Sequence, residues 1–429
     1  MKPVFRQLSL NLHCSMDYFR LMLLLFPLIS AETRYRNLSE NTVDFKSKGD
    51  SGLDPSIQDS DWDSSNTDSG SDLSRQDFAS NANKKNSQTG DGRLFSLFTI
   101  VQFKNMGCVS GNFTGTCMTS SECISCGGSG SGSCAAGFGV CCIVRSSTCD
   151  SMITTNTTYI SSSDTSGGSC SYKIAIPSNV CQIRLDFLKL ELDGPTNNAQ
   201  TNLGGRCNTD KFSIQQTSSP TSLTLCGNST GQHIYFDVSE GDVAELKFIL
   251  DQTVGFRRGW ELLINYMECG QSVPGCTQYF TGNSGTITSF NYYNTEATRR
   301  VHLSGLDYTI CIRRETGSCC LRLNPTITPD GYDLNGVTCA SDCNTAQTCR
   351  TDGTDHLLIP QANEDGKDPT SYTRFCGTLT NVFSVATSQH PLVTCSVPFN
   401  LHFHSAMSGN SGNTRGFNLK YVQLPCRHF

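Results

Sequence analysis

The chain has 429 residues and a formal net charge of −6, with 16% charged and 37% hydrophobic residues. That weak acidity excludes a nucleic-acid footprint. Its 24 cysteines exclude a protein built for a reducing cytosol. Twenty-three of them lie between Cys108 and Cys426, so a bare front part precedes a cross-linked rear.

Residues 1–31 read as a signal peptide. Arg20 precedes the apolar run Leu21–Ile29, and small Ser30 and Ala31 follow. The run is shorter than the roughly 20 residues a membrane span needs. Met16 offers a tidier start. Either start removes Cys14, and the odd cysteine count that remains implies one free thiol or one intermolecular bridge. Neither a second span nor a lipid-anchor tail is expected. The secretory context gives meaning to sequons at Asn37, Asn112, Asn156 and Asn228 as glycosylation sites.

Residues 32–92 carry 12 Asp/Glu against 7 Lys/Arg among many Ser, Asn and Gly. Such a stretch cannot bury enough apolar surface to offset ordering entropy, and it reads as a disordered acidic arm. Gly49-Asp50-Ser51-Gly52 looks like a protease nucleophile loop but lacks a folded domain ahead of it to place the other triad members. Lys84-Lys85 is a processing signal or ordinary linker charge.

Residues 93–148 open on the β-prone run Leu94–Phe103 and then crowd Cys108, Cys117, Cys123, Cys126, Cys134, Cys141 and Cys142 between Gly-rich spacers. So small a module needs bridges in place of a core. The adjacent Cys141 and Cys142 are expected to send theirs to opposite sides. Cys123-Ile-Ser-Cys126 has zinc or redox spacing, yet a second matching pair is missing, so structural disulfides are the reading.

From Cys149 onward the pattern alternates: Ser171–Ile176, Val180–Leu192, Phe212–Ile214, His233–Val238, Glu245–Leu250 and Trp260–Tyr266. Short strands punctuated by Gly, Pro and Asn indicate an antiparallel sandwich over 149–269. A second set spans 270–429, with strands at 276–280, 285–292, 307–312, 355–360, 398–404 and 416–422. Anchors repeat at about 150 residues. Cys207-Asn-Thr-Asp210 echoes Cys349-Arg-Thr-Asp352, and Leu225-Cys226-Gly227 echoes Phe375-Cys376-Gly377. Leu246-Lys-Phe248 before Gly259-Trp260 echoes Leu401-His-Phe403 before Gly416-Phe417.

No His-Glu-x-x-His helix, nucleophile elbow or phosphate loop occurs, so the chain reads as a non-enzyme. His402 and His404 alternate on one strand face, a pair that by itself is not a metal site. Arg257-Arg258, Arg299-Arg300 and Arg313-Arg314 read as solubilising charge, or as a surface for sulfated glycan or acidic protein.

The anchors resemble the CUB domain, an extracellular β-sandwich. The first copy would use Cys149, Cys170, Cys207-x-x-Asp210, Cys226-Gly227 and Trp260 to Tyr266. The second, more divergent, would use Cys276, Cys311, Cys349, Cys376-Gly377 and Gly416-Phe417. More widely, Leu94 to Cys426 looks like a group of secreted arthropod CUB-domain proteins. The segments that carry this include Gly137-Phe-Gly-Val-Cys-Cys142, Cys181-Gln-Ile-Arg-Leu-Asp-Phe187 and Tyr308-Thr-Ile-Cys-Ile-Arg-Arg314. The module ending in the Cys-Cys pair is similar to the clip modules of arthropod immune proteases, with shorter spacers and Cys126 extra.

The resemblance implies an all-β fold: two CUB-like antiparallel β-sandwiches, a small clip-like disulfide-rich module and a disordered N-terminal arm. It implies bridges Cys149–Cys170 and Cys207–Cys226, with Cys181 and Cys269 left to pair. It also implies a calcium ion held by Asp193, Asp210 and Asp251 at one end of the first sandwich, although each is equally a turn or cap residue and Glu191 competes with Asp193. The second copy keeps Asp352 but offers Ser405-Ala406 where the late carboxylate belongs. The expected function is a secreted extracellular binding protein contacting protein or glycan through CUB loops. The alternatives are a regulator of extracellular serine proteolysis and a matrix or cuticle structural protein.

Overall fold

The computed structural model describes residues 103–162, 166–195, 204–216, 223–252, 258–293, 301–326, 331–334, 355–364, 371–378, 391–406 and 414–426. The segments expected to be a signal peptide and an acidic arm, with Lys84-Lys85 and Asn37, and the run Leu94–Gln102 lie outside them.

The small module comprises β1 Gly107–Ser110, β2 Phe113–Met118, the short helix α1 Ser120–Ser125, β3 Gly128–Cys134 and β4 Gly139–Ser146. Helix α1 starts with a capping box in which Thr119 and Glu122 satisfy each other's main-chain amides. Cys108–Cys141, Cys117–Cys134 and Cys123–Cys142 stand in for a core. The buried apolar cluster between helix and sheet is only Met118, Cys123, Cys142 and Val144. Cys141 and Cys142 point to opposite sides. Cys142 serves that cluster, while Cys141 packs with Ile143, Tyr159 and Leu263 at the junction with the first sandwich.

The first sandwich contains β5 Ser151–Ile153, β6 Thr158–Ser161, β7 Gly168–Ala175, β8 Val180–Glu191, β9 Lys211–Gln216, β10 Thr224–Leu225, β11 His233–Asp237, β12 Val243–Leu250 and β13 Gly259–Glu268. One sheet runs β10-β9-β12-β7-β5; the other contains β6-β13-β8-β11. Strict alternation explains β12: Ala244, Leu246, Phe248 and Leu250 face inward, while Glu245 and Lys247 face outward. Phe248 stacks on Trp260 with ring centroids 3.9 Å apart, which joins the two sheets. Parallel pairing of β4 with β6 makes the small module a continuation of this sandwich's sheet.

The second block contains β14 Gln278–Phe280, β15 Ser284–Thr288, β16 Asp307–Ile312, β17 Ser318–Pro325, β18 Tyr332–Leu334, β19 His356–Glu364, β20 Tyr372–Phe375, β21 Gly377–Thr378, β22 Leu392–Thr394, β23 Phe399–His404 and β24 Gly416–Pro425. Its ladders repeat those of the first block. The parallel pair β5–β7 recurs as β14–β16. The antiparallel runs β7-β12-β9-β10 and β6-β13-β8-β11 recur as β16-β23-β19-β20 and β15-β24-β17-β22. The second block differs in that β19 also pairs with β22, which joins its sheets at a corner. The sequence echoes mark equivalent packing: Phe403 meets Phe417 at 5.4 Å, as Phe248 meets Trp260.

Bridges Cys149–Cys170, Cys181–Cys269 and Cys207–Cys226 brace the first block. Cys276–Cys311, Cys319–Cys426 and Cys320–Cys395 brace the second. Cys126 and Cys376 are also bonded, and no described cysteine is free. The described residues therefore supply no spare thiol for the expected intermolecular bridge. The bridging of Cys123 to Cys142 likewise removes the Cys123-x-x-Cys126 metal or redox reading.

The blocks meet along a hydrogen-bonded seam. Gln182 Nε2 donates to Val273 O and Gln182 Oε1 accepts from Val273 N–H, each at 3.0 Å. Gln232 Nε2 donates to Thr288 O at 2.9 Å. Asn291 Oδ1 accepts from Asn228 N–H at 3.0 Å and lies where a Cβ on Gly227 would go; with φ at +75°, that position requires glycine. His233 Nε2 accepts from Tyr279 N–H at 3.2 Å, a bond that needs the unprotonated ring.

Burial, and secondarily the Arg184 charge, lower the His233 pKa from 6.5 to about 4. Between those values the unfolded chain takes up the proton more readily than the folded one, so stability falls as pH drops from 6.5 toward 4. His233→Gln keeps an acceptor but does not titrate. It is expected to flatten that limb of a stability–pH profile measured by denaturant unfolding. An unchanged limb would clear His233.

Candidate functional site

The three carboxylates expected to hold calcium do gather at one end of the first sandwich. Asp193 follows β8, Asp210 immediately precedes β9 and Asp251 immediately follows β12. Asp193 and Asp210 are buried. Asp210 Oδ2 accepts from Asp193 N–H at 2.8 Å, and its Oδ1 accepts from Asp251 N–H at 2.9 Å. Thr209 Oγ1 donates to Asp193 Oδ2 at 2.7 Å. Each bond satisfies a main-chain or side-chain group that the strand ends would otherwise leave buried.

The cation in this pocket is a side chain. Arg258, at the start of the last strand, places Nε 2.9 Å from Asp210 Oδ2, and the two side chains are 1% and 0% exposed. Its Nη2 donates to Asp251 O at 2.6 Å. Burial pushes the Asp210 carboxyl up from its ordinary value, against the pull of the Asp251 amide and the Arg258 charge.

A calcium ion takes six to eight oxygen ligands. Here both Asp210 oxygens are held by main-chain amides, and a guanidinium fills the space beside them. At the corner expected to hold calcium through Asp193, Asp210 and Asp251, the residues as placed thus offer an ion a poor fit. The reading of Arg258 as surface charge is corrected, since its side chain is buried. Arg257, Arg299 and Arg300 lie outside the described residues. Arg314 is exposed, and Arg313 pairs with Glu315 at 2.9 Å.

The second block builds the same corner with different residues. Asp355 immediately precedes β19, as Asp210 precedes β9. Its Oδ1 accepts from Ala406 N–H at 2.6 Å, just beyond β23, and its Oδ2 lies 2.9 Å from His302 Nε2. The His302 and Asp355 side chains are 0% and 5% exposed. The Cys-x-x-Asp match points to Asp352, which lies outside the described residues; the carboxylate placed ahead of β19 as Asp210 is ahead of β9 is Asp355. The clue available in sequence was the carboxylate directly ahead of an alternating strand, Asp355-His-Leu-Leu-Ile beside Asp210-Lys-Phe-Ser-Ile. Neither His302 nor Arg258 carried any comparable local signal.

His402 and His404 share a face of β23, and both contact Asp307 on β16. Among the described residues no group of three metal-ligating side chains is placed to hold an ion. Of the sequons, Asn112 sits at the exposed tip of the β1–β2 hairpin. Asn156 and Asn228 are half-buried, and their Oδ1 atoms accept from Tyr266 and Thr230 amides.

Among solved structures, the chain is similar to the CUB1-EGF-CUB2 domains of rat MASP-1, with 16% identity over 63% of this chain and 99% of that one, at a TM-score of 0.22. It is similar to the MASP-1 CUB2 domain bound to Ca2+, with 18% identity over 27% and 98% of the two chains, at a TM-score of 0.22. The full extracellular region of zebrafish Gpr126/Adgrg6 overlaps at 13% identity over 66% and 34%, at a TM-score of 0.23. None of the curated proteins matches the chain. Residues 273–424, the second block, match the family described as Animal CUB domain.

Proposed function

We propose that this chain is a secreted, non-enzymatic binding protein whose strand-connecting loops contact an extracellular protein or glycan. The observation that carries this is the match of residues 273–424 to the animal CUB domain, a non-catalytic, extracellular protein-binding module. A topologically repeated, disulfide-braced first block ahead of it supports the same role. Bridges at this density suit an oxidising compartment, in keeping with a signal peptide at 1–31 and glycans at Asn37, Asn112, Asn156 and Asn228. The Arg258–Asp210 pair supports binding that does not depend on calcium at that corner.

The test is affinity capture with the immobilised secreted chain from extracellular fluid, with and without chelator. One saturable, chelator-insensitive partner is expected. Recovery of serine proteases with altered activity would replace this reading with a role in regulating proteolysis. Exclusive recovery of covalently linked copies of the chain would replace it with a structural one.

A further inference from the structure

Where the two blocks meet, the β9–β10 hairpin, the end of β11, residues 275–277 and the start of β16 enclose a cleft of about 600 Å³. Its walls are partly apolar, with Leu223 and Phe236 partly exposed to it and Leu306 deeper. The Cys276–Cys311 bridge holds one wall. Thr277 crosses the seam, accepting from Tyr235 N–H at 2.7 Å and donating to Thr309 O at 2.9 Å. This is a built concavity between covalently tied elements, the kind of place where ligands collect.

Two carboxylates stand on its lining, one from each block: Asp237 and Asp307. Both are exposed. Neither has an arginine or lysine partner among the described residues, although two histidines contact Asp307. Asp237 Oδ1 accepts from Gln182 Nε2 at 2.7 Å and its Oδ2 from Gly275 N–H at 3.1 Å. Asp307 is held by His402 and by His404, the latter at 3.0 Å, and the His404 ring lies 5.1 Å from that of His356.

Five other carboxylates in the blocks do meet arginine or lysine: Asp186 with Arg184, Glu191 with Lys189, Glu261 with Arg145, Glu315 with Arg313 and Asp210 with Arg258. Among the described residues no lysine or arginine lines the cleft. Lysine and arginine combine an apolar stem with a cationic head, and a partly apolar cleft carrying two fixed carboxylates is complementary to both parts.

We propose that the cleft between the two blocks is a docking site for an exposed lysine- or arginine-bearing segment of a partner protein, its stems on Leu223 and Phe236 and its cations at Asp237 and Asp307. This deepens the binding reading above by naming the surface and the chemistry of the partner.

The probe is a fluorescein-labelled peptide of alternating lysine and leucine, with a glutamate–leucine peptide as control, titrated against the full secreted chain by anisotropy. Only the lysine peptide is expected to bind, more weakly as salt rises. Asp237→Asn and Asp307→Asn keep the shape of the side chains, and each is expected to raise Kd about tenfold, with binding lost in the double variant. Ser239→Lys sets a cation on an exposed position of the rim and is expected to block binding as well, which covers the case in which an Asn variant misfolds.

Equal binding of the lysine peptide by wild type and the double variant overturns the site, as does no binding by wild type or equal binding of both peptides. A dimer that forms in wild type and is lost in the double variant overturns it in favour of a second copy as occupant. If the double variant still captures the partner found with wild type, the cleft is refuted and the broader binding function stands.

Discussion

Replacing Arg258 with methionine is expected to cost the protein about 3–5 kcal/mol, the usual penalty for removing one member of a buried ion pair. The melting temperature should fall by about 10 °C. The pair at the Asp210 corner is fully buried, with Arg258 Nε 2.9 Å from the carboxylate. Methionine preserves much of the stem's packing but leaves Asp210 charged with no cation in a dry pocket.

Two features make the result specific. Burial already holds the Asp210 carboxyl above its ordinary value, and loss of the guanidinium drives it further up. A carboxyl whose folded pKa lies above its unfolded one contributes stability that is lost as pH rises through the folded value. The deficit of Arg258→Met should therefore be larger at pH 8 than at pH 5. Arg258→Lys supplies a point charge that cannot span Asp210 and the Asp251 carbonyl together, and it should fall between wild type and Met. Chelator should leave the wild-type melting temperature unchanged; a drop on chelation would mean that an ion, not Arg258, holds the corner.

The second large effect is expected in the small module. Cys123 and Cys142 close a separation of 19 residues, and both belong to its buried cluster of four residues. Releasing that bridge by Cys123→Ser with Cys142→Ser frees about 3 kcal/mol of loop-closure entropy in the unfolded ensemble. It also puts two hydroxyls where sulfur packed against Met118 and Val144. So few apolar side chains cannot offset both losses. Hydrogen exchange should show amides of α1, β2 and β3 losing protection while β8, β12 and β13 keep theirs. Uniform loss of protection across the chain would show that the module and the first sandwich unfold as one cooperative unit.

Strands were legible wherever burial is one-sided. Val243–Leu250 and Val180–Glu191 alternate because one face meets a core and the other meets water, so the period of two is printed in the residues themselves. Short connecting strands such as Ser151–Ile153, Tyr332–Leu334 and Leu392–Thr394 were not picked out, because three residues are too few to show a period. The run 285–292 was read as strand throughout, but the ladder stops at Thr288 and Asn291 takes a positive φ to face Gly227 across the seam. A contact that distant leaves no local pattern.

By itself the sequence determined the β class and the repeat, since both rest on near neighbours: alternation, turn chemistry and recurring anchor residues; the corner of Asp193, Asp210 and Asp251 came only as an implication of the CUB resemblance. Which cation fills that corner was decided only by the tertiary structure. Arg258 and His302 reach Asp210 and Asp355 from 48 and 53 positions away along the chain, and nothing about an arginine's immediate neighbours says whether the fold will leave it in water or fold it inward against a carboxylate. The cleft shares that origin, because Asp237 and Asp307 come to line one cavity only through the packing of the two blocks.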